Sequence, residues 1–292
     1  MPKRPCAILV TPDNQTILCG DKFGDVYSLP LVPTEMVELD KQVAVPSDSV
    51  RKAYAPSATN LTVHTARNRR ALEEQLKRKD SDAKGKEPLK FEHSLLLGHV
   101  SLLTDMLHVT QKVDGKSRQH IMTSDRDEHI RVSRGPPQAH VIERYCLGHT
   151  EFISKLCPVP GTNVLLSAGG DTWMGVWDWT TGKLLARRDL KAALDNHPRA
   201  NDWRSPDTED FKVAVSGIWI APAVYDSNKS TQVAVVSIEG IPVPVVYSIG
   251  SIEDSTSSPM FLSENKGRVL DIASLDQLTV LSFDATEVRC NE

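Results

Sequence analysis

Leu97-Gly98-His99-Val100-Ser101-Leu102 and Leu147-Gly148-His149-Thr150-Glu151-Phe152 open two copies of one pattern. In the second copy, Gly148-His149 precedes a strand-like run from Phe152 to Val159. Leu165-Leu166-Ser167-Ala168-Gly169-Gly170-Asp171 follows, and Gly175-Val176-Trp177-Asp178 closes the unit. In the first copy, Gly98-His99 precedes Leu102 to Val109, then Ile121-Met122-Thr123-Ser124-Asp125-Arg126-Asp127, then Ile130-Arg131-Val132. Ser167 and Asp171 have the same separation as Thr123 and Asp127, and each of these Asp residues lies five positions before a strand Val.

A Gly-His opening and a Val-Trp-Asp ending, about thirty residues apart, mark one blade of a WD-repeat β-propeller. The spacing follows from a buried polar network. An Asp in the tight turn between the second and third strands accepts a hydrogen bond from the Gly-His imidazole. The imidazole reaches a Ser or Thr hydroxyl on the second strand, and that hydroxyl reaches the indole N–H of the third-strand Trp. His149, Asp171, Ser167 and Trp177 fit this chain member by member. His99, Asp127 and Thr123 are expected to repeat it, but Ser133 stands where the Trp would be, so the first network should be shorter. A His and an Asp at this spacing also fit a catalytic dyad. Recurrence of the pair, each time beside a strand, favours the structural role.

With 292 residues, 40% hydrophobic and 25% charged, the chain has the composition of globular material with a large core. No apolar run approaches the ~18 residues of a membrane helix. Met1-Pro2-Lys3-Arg4-Pro5-Cys6 leads into a strand-like run without a signal-peptide profile. Cys6, Cys19, Cys146, Cys157 and Cys290 are scattered, odd in number and form no C-x-x-C. That pattern points to a reducing compartment, no zinc site and small buried hydrophobes. Residues 67–90 carry nine Lys/Arg against five Asp/Glu, so the rest of the chain holds −8 of a net −4. A propeller that acidic is a poor nucleic-acid binder by itself.

Residues 5–30 read as one degenerate blade: a strand at 6–10, a turn at Thr11-Pro12-Asp13-Asn14, and strands at 16–19 and 26–29. The stretch 41–90 breaks the rhythm as a basic, low-complexity insertion within a single domain spanning 1–292. Its 65–79 portion has helical character, with Glu73 and Glu74 just before Lys77 and Arg78. It reads either as a solvated insertion without fixed structure or as a basic arm touching RNA phosphates. Blade-like units follow at 92–134 and 146–189, then a polar loop at 190–210, a unit at 211–248 and a strand pair at 268–283. These make four units and a partial fifth. A closed ring of this repeat has seven, so the expectation is an all-β propeller lacking one or more terminal blades.

Three stretches carry a closer resemblance. They are Leu97 to Asp105, Thr123-Ser124-Asp125-Arg126-Asp127-Glu128-His129-Ile130-Arg131-Val132-Ser133, and Cys146-Leu147-Gly148-His149-Thr150-Glu151-Phe152-Ile153-Ser154-Lys155-Leu156. They resemble the non-catalytic WD-repeat subunit of the eukaryotic, fungal-type tRNA (guanine-N7)-methyltransferase. Gly20-Asp21-Lys22-Phe23-Gly24-Asp25-Val26-Tyr27-Ser28 is similar to an early blade of the same family. The resemblance implies a nuclear scaffold that holds and stabilises a separate methyltransferase subunit. That partner would bind S-adenosylmethionine and methylate a guanine of tRNA. This chain would need no cofactor or metal, would touch no membrane, and would meet tRNA weakly if at all.

The Asp127 network leaves Arg126, Glu128 and Arg131 without a structural reason for charge. Glu151, Phe152 and Lys155 leave the next Gly-His turn, which places them beside the 125–131 hairpin. In the family this region resembles the surface that meets the methyltransferase, with the residue matching Lys155 paired to an acid. An alternative is a generic propeller adaptor, such as a ubiquitin-ligase substrate receptor. A propeller enzyme is a third reading, and it would need catalytic groups converging on a central channel.

Overall fold

The computed structural model describes residues 4–32, 92–113, 115–198, 212–226, 229–254, 258–262, 268–275 and 278–284, with single positions 70, 73 and 200. Sheet 1 contains β1 (Pro5–Val10), β2 (Thr16–Asp21), β3 (Asp25–Pro30) and β4 (Ser94–Gly98). Sheet 2 contains β5 (Leu103–Val113), β6 (Lys116–Asp125), β7 (Ile130–Arg134) and β8 (Ile142–Cys146). Sheet 3 contains β9 (Ile153–Pro158), β10 (Val164–Gly169), β11 (Trp173–Asp178) and β12 (Lys183–Asp189). Sheet 4 is formed by β13 (Val215–Asp226), β14 (Lys229–Ile238), β15 (Val245–Ser248) and β16 (Met260–Phe261). β17 (Arg268–Leu275) and β18 (Leu278–Asp284) form a fifth sheet of two strands. Every neighbouring pair is antiparallel, as alternating apolar runs joined by tight turns require.

The sheets do not coincide with the units read from the sequence. β4 pairs with β3 across the intervening segment, Asp25 opposite Gly98 and Val26 opposite Leu97. Sequence repeat and sheet are therefore staggered by one strand: the strand entering each Gly-His turn completes the preceding sheet. The polar stretch after residue 189 opens with a short helix, α1 (Leu190–Asp195). Asp189 caps it by accepting the Ala192 amide at 2.7 Å, and Leu190, Ala193 and Leu194 are buried beneath it. Contacts divide the chain into two units, residues 1–31 with 93–292 and residues 32–92. Apart from positions 70 and 73, the insertion at 41–90 with its 65–79 portion lies outside the described residues, as does Cys290.

Consecutive sheets meet through their first strands, with β1 against β5, β5 against β9, β9 against β13 and β13 against β17. Each first strand carries a register shift at the same place, between Pro5 and Ala7, Leu103 and Asp105, Ile153 and Lys155, Val215 and Gly217, and Val269 and Asp271. Such a bulge bends and twists a strand locally. In sheets 1 to 4 the bulged residue is small and polar, and it bonds to the second strand. Cys6 donates to the Gly20 carbonyl at 3.4 Å, Thr104 Oγ1 lies 2.9 Å from Ser124 Oγ, and Ser154 donates to the Ala168 carbonyl at 3.2 Å. Ser216 donates to the Ser237 carbonyl at 3.3 Å.

Polar bonds then fasten sheet to sheet. Arg131 Nη1 donates to the Gly98 carbonyl at 3.0 Å, the Leu156 amide to Asp105 Oδ2 at 2.8 Å, and Ser154 Oγ to the Val215 carbonyl at 2.6 Å. Ser237 Oγ donates to the Val269 carbonyl at 3.2 Å. Apolar clusters fill the spaces between these bonds. Leu18, Val26, Leu97, Leu103, Met106 and Ile121 pack together between sheets 1 and 2. Met122, Val132, Ile153, Leu165, Trp177 and Trp179 do so between sheets 2 and 3. The largest cluster joins sheet 3, α1 and sheet 4 around Leu166, Met174, Val176, Ala234 and Val236. Cys19, Cys146 and Cys157 are buried, as expected of small hydrophobes, whereas Cys6 is exposed. Burial pushes the Cys146 and Cys157 thiols up to about 12.

Leu166 is wholly buried where sheets 3 and 4 meet. Leu166→Ala should destabilise the chain by about 2–5 kcal/mol through lost burial and the cavity left behind. A urea unfolding series reads this as a lower midpoint at an unchanged slope.

Candidate functional site

The second polar network forms as its spacing predicts. His149 Nδ1 lies 2.7 Å from Asp171 Oδ2, His149 Nε2 lies 2.6 Å from Ser167 Oγ, and Trp177 Nε1 donates to Ser167 Oγ at 2.8 Å. A carboxylate only accepts, so Nδ1 carries the proton. Nε2 then accepts the Ser167 hydroxyl proton, and the hydroxyl oxygen accepts from the indole. Every bond in the chain points toward Asp171, whose Oδ1 also accepts the Thr150 hydroxyl at 2.6 Å. Trp173 stacks on the imidazole, with ring centroids 4.5 Å apart, and the Arg187 guanidinium covers its other side at 4.3 Å.

Gly169-Gly170 is the sequence signature of this turn. A Cβ on Gly169 would lie 1.9 Å from the Phe152 carbonyl oxygen, and the Gly170 amide donates to that oxygen at 2.9 Å. The end of β10 therefore has no room for a side chain, and the acid of this sheet stands two residues further on.

The first network corrects the expectation. His99 Nε2 lies 2.7 Å from Thr123 Oγ1, as predicted, but Nδ1 faces Asp125 Oδ2 at 3.4 Å rather than Asp127. Asp125 is the last residue of β6 and buried, whereas Asp127 is exposed in the turn. Asp125 Oδ1 accepts the Asp127 amide at 3.1 Å and the His129 amide at 3.0 Å. Asp21, the last residue of β2, holds its own turn in the same way, accepting the Phe23 and Asp25 amides at 2.8 and 3.2 Å. Asp21 and Asp125 both stand five residues before the first apolar residue of the next strand, Val26 and Ile130, and this shared offset identifies them in the sequence. Ser133 is buried in place of the Trp, and its hydroxyl has no hydrogen-bond partner among the described residues, so this network ends at Thr123.

The candidate contact residues separate into two groups. Arg126 and Glu128 are exposed in the β6–β7 turn, with Glu128 at φ 69°, and Glu151 and Phe152 are exposed beyond the next Gly-His turn. Glu128 is close enough to influence His149, so the two turns share one rim. Arg131 is not a surface charge. It is buried, bonded to the Gly98 carbonyl, and its Nε has no partner among the described residues. Lys155 is half-buried on the inner strand β9, at the register position that Asp105 holds on β5. Burial raises the Asp105 carboxyl despite the Leu156 amide bond and the nearby Lys155.

A cavity of ≈ 360 Å³ opens on this rim, with Arg131, His99 and His129 among its lining. Val100, Tyr145 and Leu147 also line it, and all three are exposed. Exposed apolar groups around a buried cation are characteristic of a protein-contact surface. Charge spacing alone did not reveal these three residues.

Asp125→Ala should cost about 1–3 kcal/mol, because it strands the His99 N–H and two turn amides. Asp127→Ala should be nearly neutral; equal losses in thermal unfolding would reinstate Asp127 as the network acid.

Burial holds the His149 imidazole below its usual range despite the Asp171 bond. Burial works to raise the Asp171 carboxyl, but hydrogen bonds from Thr150 and His149 outweigh it and hold the carboxyl low. Both groups bind fewer protons folded than unfolded. Their contributions are complete above about pH 6.5 and are lost as pH falls, first through the imidazole and then through the carboxylate. The urea midpoint should therefore fall on acidification below that point. His149→Phe should make the decline between about pH 7 and 5 shallower, and an unchanged slope would remove His149 from the pH response.

The whole pattern matches the family model described as "tRNA methyltransferase TRM82 WD40 domain" over residues 1–291. The tRNA (guanine-N(7)-)-methyltransferase non-catalytic subunit TRM82 of Phaeosphaeria nodorum is 47% identical over 258 residues, covering 86% of this chain and 52% of the relative. The protein of the same name from Coccidioides immitis is 45% identical over 289 residues, covering 94% and 53%. Among solved structures, U3-55K aligns with 92% of this chain and 54% of its own at 18% identity, with a TM-score of 0.47. The chain spans about half the length of the curated relatives it matches. With its Gly-His turns, its networks ending on Asp171 and Asp125, and a family match across nearly its whole length, the chain belongs to the TRM82 WD40 family.

Proposed function

We propose that this chain is a non-catalytic scaffold that binds and stabilises the catalytic subunit of tRNA (guanine-N7)-methyltransferase. The carrying observation is the rim on sheets 2 and 3, where exposed Val100, Tyr145, Leu147 and Phe152 lie among Arg126, Glu128 and Glu151. The naming of the TRM82 relatives as non-catalytic subunits supports this reading over a generic adaptor such as a ubiquitin-ligase substrate receptor. His149 and Asp171 are spent on one another, on Ser167 and on Thr150, which supports a structural role for the pair.

On this reading the partner's chemistry supplies its contacts. Arg131 lines the ≈ 360 Å³ cavity with its guanidinium held by Nη1 on the Gly98 carbonyl, which suits a carboxylate side chain whose stem packs between Val100, Tyr145 and Leu147. Arg126, exposed in the adjoining β6–β7 turn, would add electrostatic complementarity beside it, and Lys155 would do so from β9. S-adenosylmethionine would be bound by the partner, tRNA would be reached through the complex, and the assembly would act in the nucleus.

Co-expression with the methyltransferase subunit tests this. The wild-type chain should co-purify with it and support N7-guanine methylation of tRNA. Arg126→Glu with Lys155→Glu should weaken association by about 2–5 kcal/mol if those charges are shielded at the interface. Isolated Arg126→Glu should keep its thermal midpoint and by itself weaken association, which separates the rim from any loss of folding caused by a second acid beside Asp105 in Lys155→Glu. Undiminished co-purification and methylation would rule out this rim.

A further inference from the structure

The β5–β6 hairpin outruns the rest of its sheet. β5 and β6 pair from Leu103 opposite Asp125 to Val113 opposite Lys116, whereas β6 and β7 stop at His120 opposite Arg134. One more bond, from the Gly135 amide to the Gln119 carbonyl at 2.7 Å, closes that side. Beyond it the chain turns away through Pro136-Pro137. In a strand, the amide and carbonyl of one residue point to the same side, and the side alternates along the chain. Gln119 faces the β7 side, and so does Ser117. No described strand lies opposite Ser117 there.

A cavity of ≈ 600 Å³ opens along this edge, lined by Ser117, Arg118, His120, Arg134, Gln138 and Glu143 among others. Its charge is uneven. Glu143 accepts from Arg134 Nε at 3.1 Å, and its other oxygen lies 3.1 Å from His120 Nε2. Lys116 and Arg118 make no ion pair among the described residues, and both are exposed. By strand alternation and register, Lys116, Arg118, His120 and Arg134 share one face.

An exposed strand edge is often only protected, and lysine on the edge is a common means. Protection accounts for Lys116 alone. It does not account for a large cavity beside the edge or for a carboxylate already saturated by neighbours, which leaves Arg118 uncompensated among the described residues.

We infer that the open edge of β6 at Ser117, beyond the Gln119 carbonyl already bonded to Gly135, accepts an extended segment of a protein partner as an added strand, with acidic residues at alternate positions facing Lys116 and Arg118. The backbone edge supplies the pairing and the cationic face selects the sequence. This inference is independent of the methyltransferase reading, because it uses a different edge of sheet 2 from the Arg126–Glu128 turn.

The test is fluorescence anisotropy of the full chain with a labelled peptide of about eight alternating Glu and Val residues. A Lys-Val peptide and a short poly(U) RNA serve as comparisons. The acidic peptide should bind, and the Lys-Val peptide should not. Arg118→Glu should weaken binding about tenfold. Ser117→Pro removes the edge amide without touching the β5 pairing and should weaken binding severalfold. An unchanged thermal midpoint shows that each variant is folded. Absence of peptide binding, preference for poly(U), or equal binding by both variants and wild type would each overturn the proposal.

Discussion

Asp171 is the end point on which sheet 3 depends. One carboxylate accepts from the imidazole, the Thr150 hydroxyl and neighbouring amides, and through His149 and Ser167 it orients the indole of Trp177. Trp177 is wholly buried and sits in the apolar cluster between sheets 2 and 3. A polar chain with one direction of donation thus fixes the rotamer of a wholly buried tryptophan at that boundary. In a low-dielectric setting, such a network is rigid only while every member is satisfied. Trp173 and Arg187 screen its open side.

The same economy recurs between sheets. Three of the first strands, β5, β9 and β13, each lend a hydrogen-bonding group to the next sheet or borrow one from it. Leu156 donates to Asp105, Ser154 to the Val215 carbonyl, and Trp219 Nε1 to Asp271 Oδ1 at 3.0 Å. The bulged residue of each first strand in sheets 1 to 4 serves its own sheet, bonding to the second strand, and Ser154 also reaches the next sheet. In sheet 5 that position is Leu270, which is exposed and cannot make the bond.

The rim proposed for the methyltransferase subunit follows from the same turns. The bonds to Asp125 hold the β6–β7 turn and those to Asp171 hold the β8–β9 turn, and this presents Arg126, Glu128, Glu151 and Phe152 outward. Stability and recognition are coupled here because the acids that build the turns lie directly beneath the residues that would meet a partner.

The repeat spacing was sufficient to determine the all-β blade pattern, the His149 network and the approximate positions of the sheets, since these rest on local alternation and on residue types with few hydrogen-bonding options. It could not determine that β4 crosses to sheet 1, because strand pairing across a long intervening segment leaves no local signal. Nor could it decide between Asp125 and Asp127. Both acids have the right chemistry, and only the end of β6 and the left-handed backbone at Glu128 turn one inward and the other outward. Arg131 shows the same limit from the other side. Its charge reads as surface in the sequence, but the neighbouring sheet's Gly98 carbonyl lies close enough to make it part of the interior. Burial and partner choice are properties of what packs against a residue, and that is set by tertiary structure.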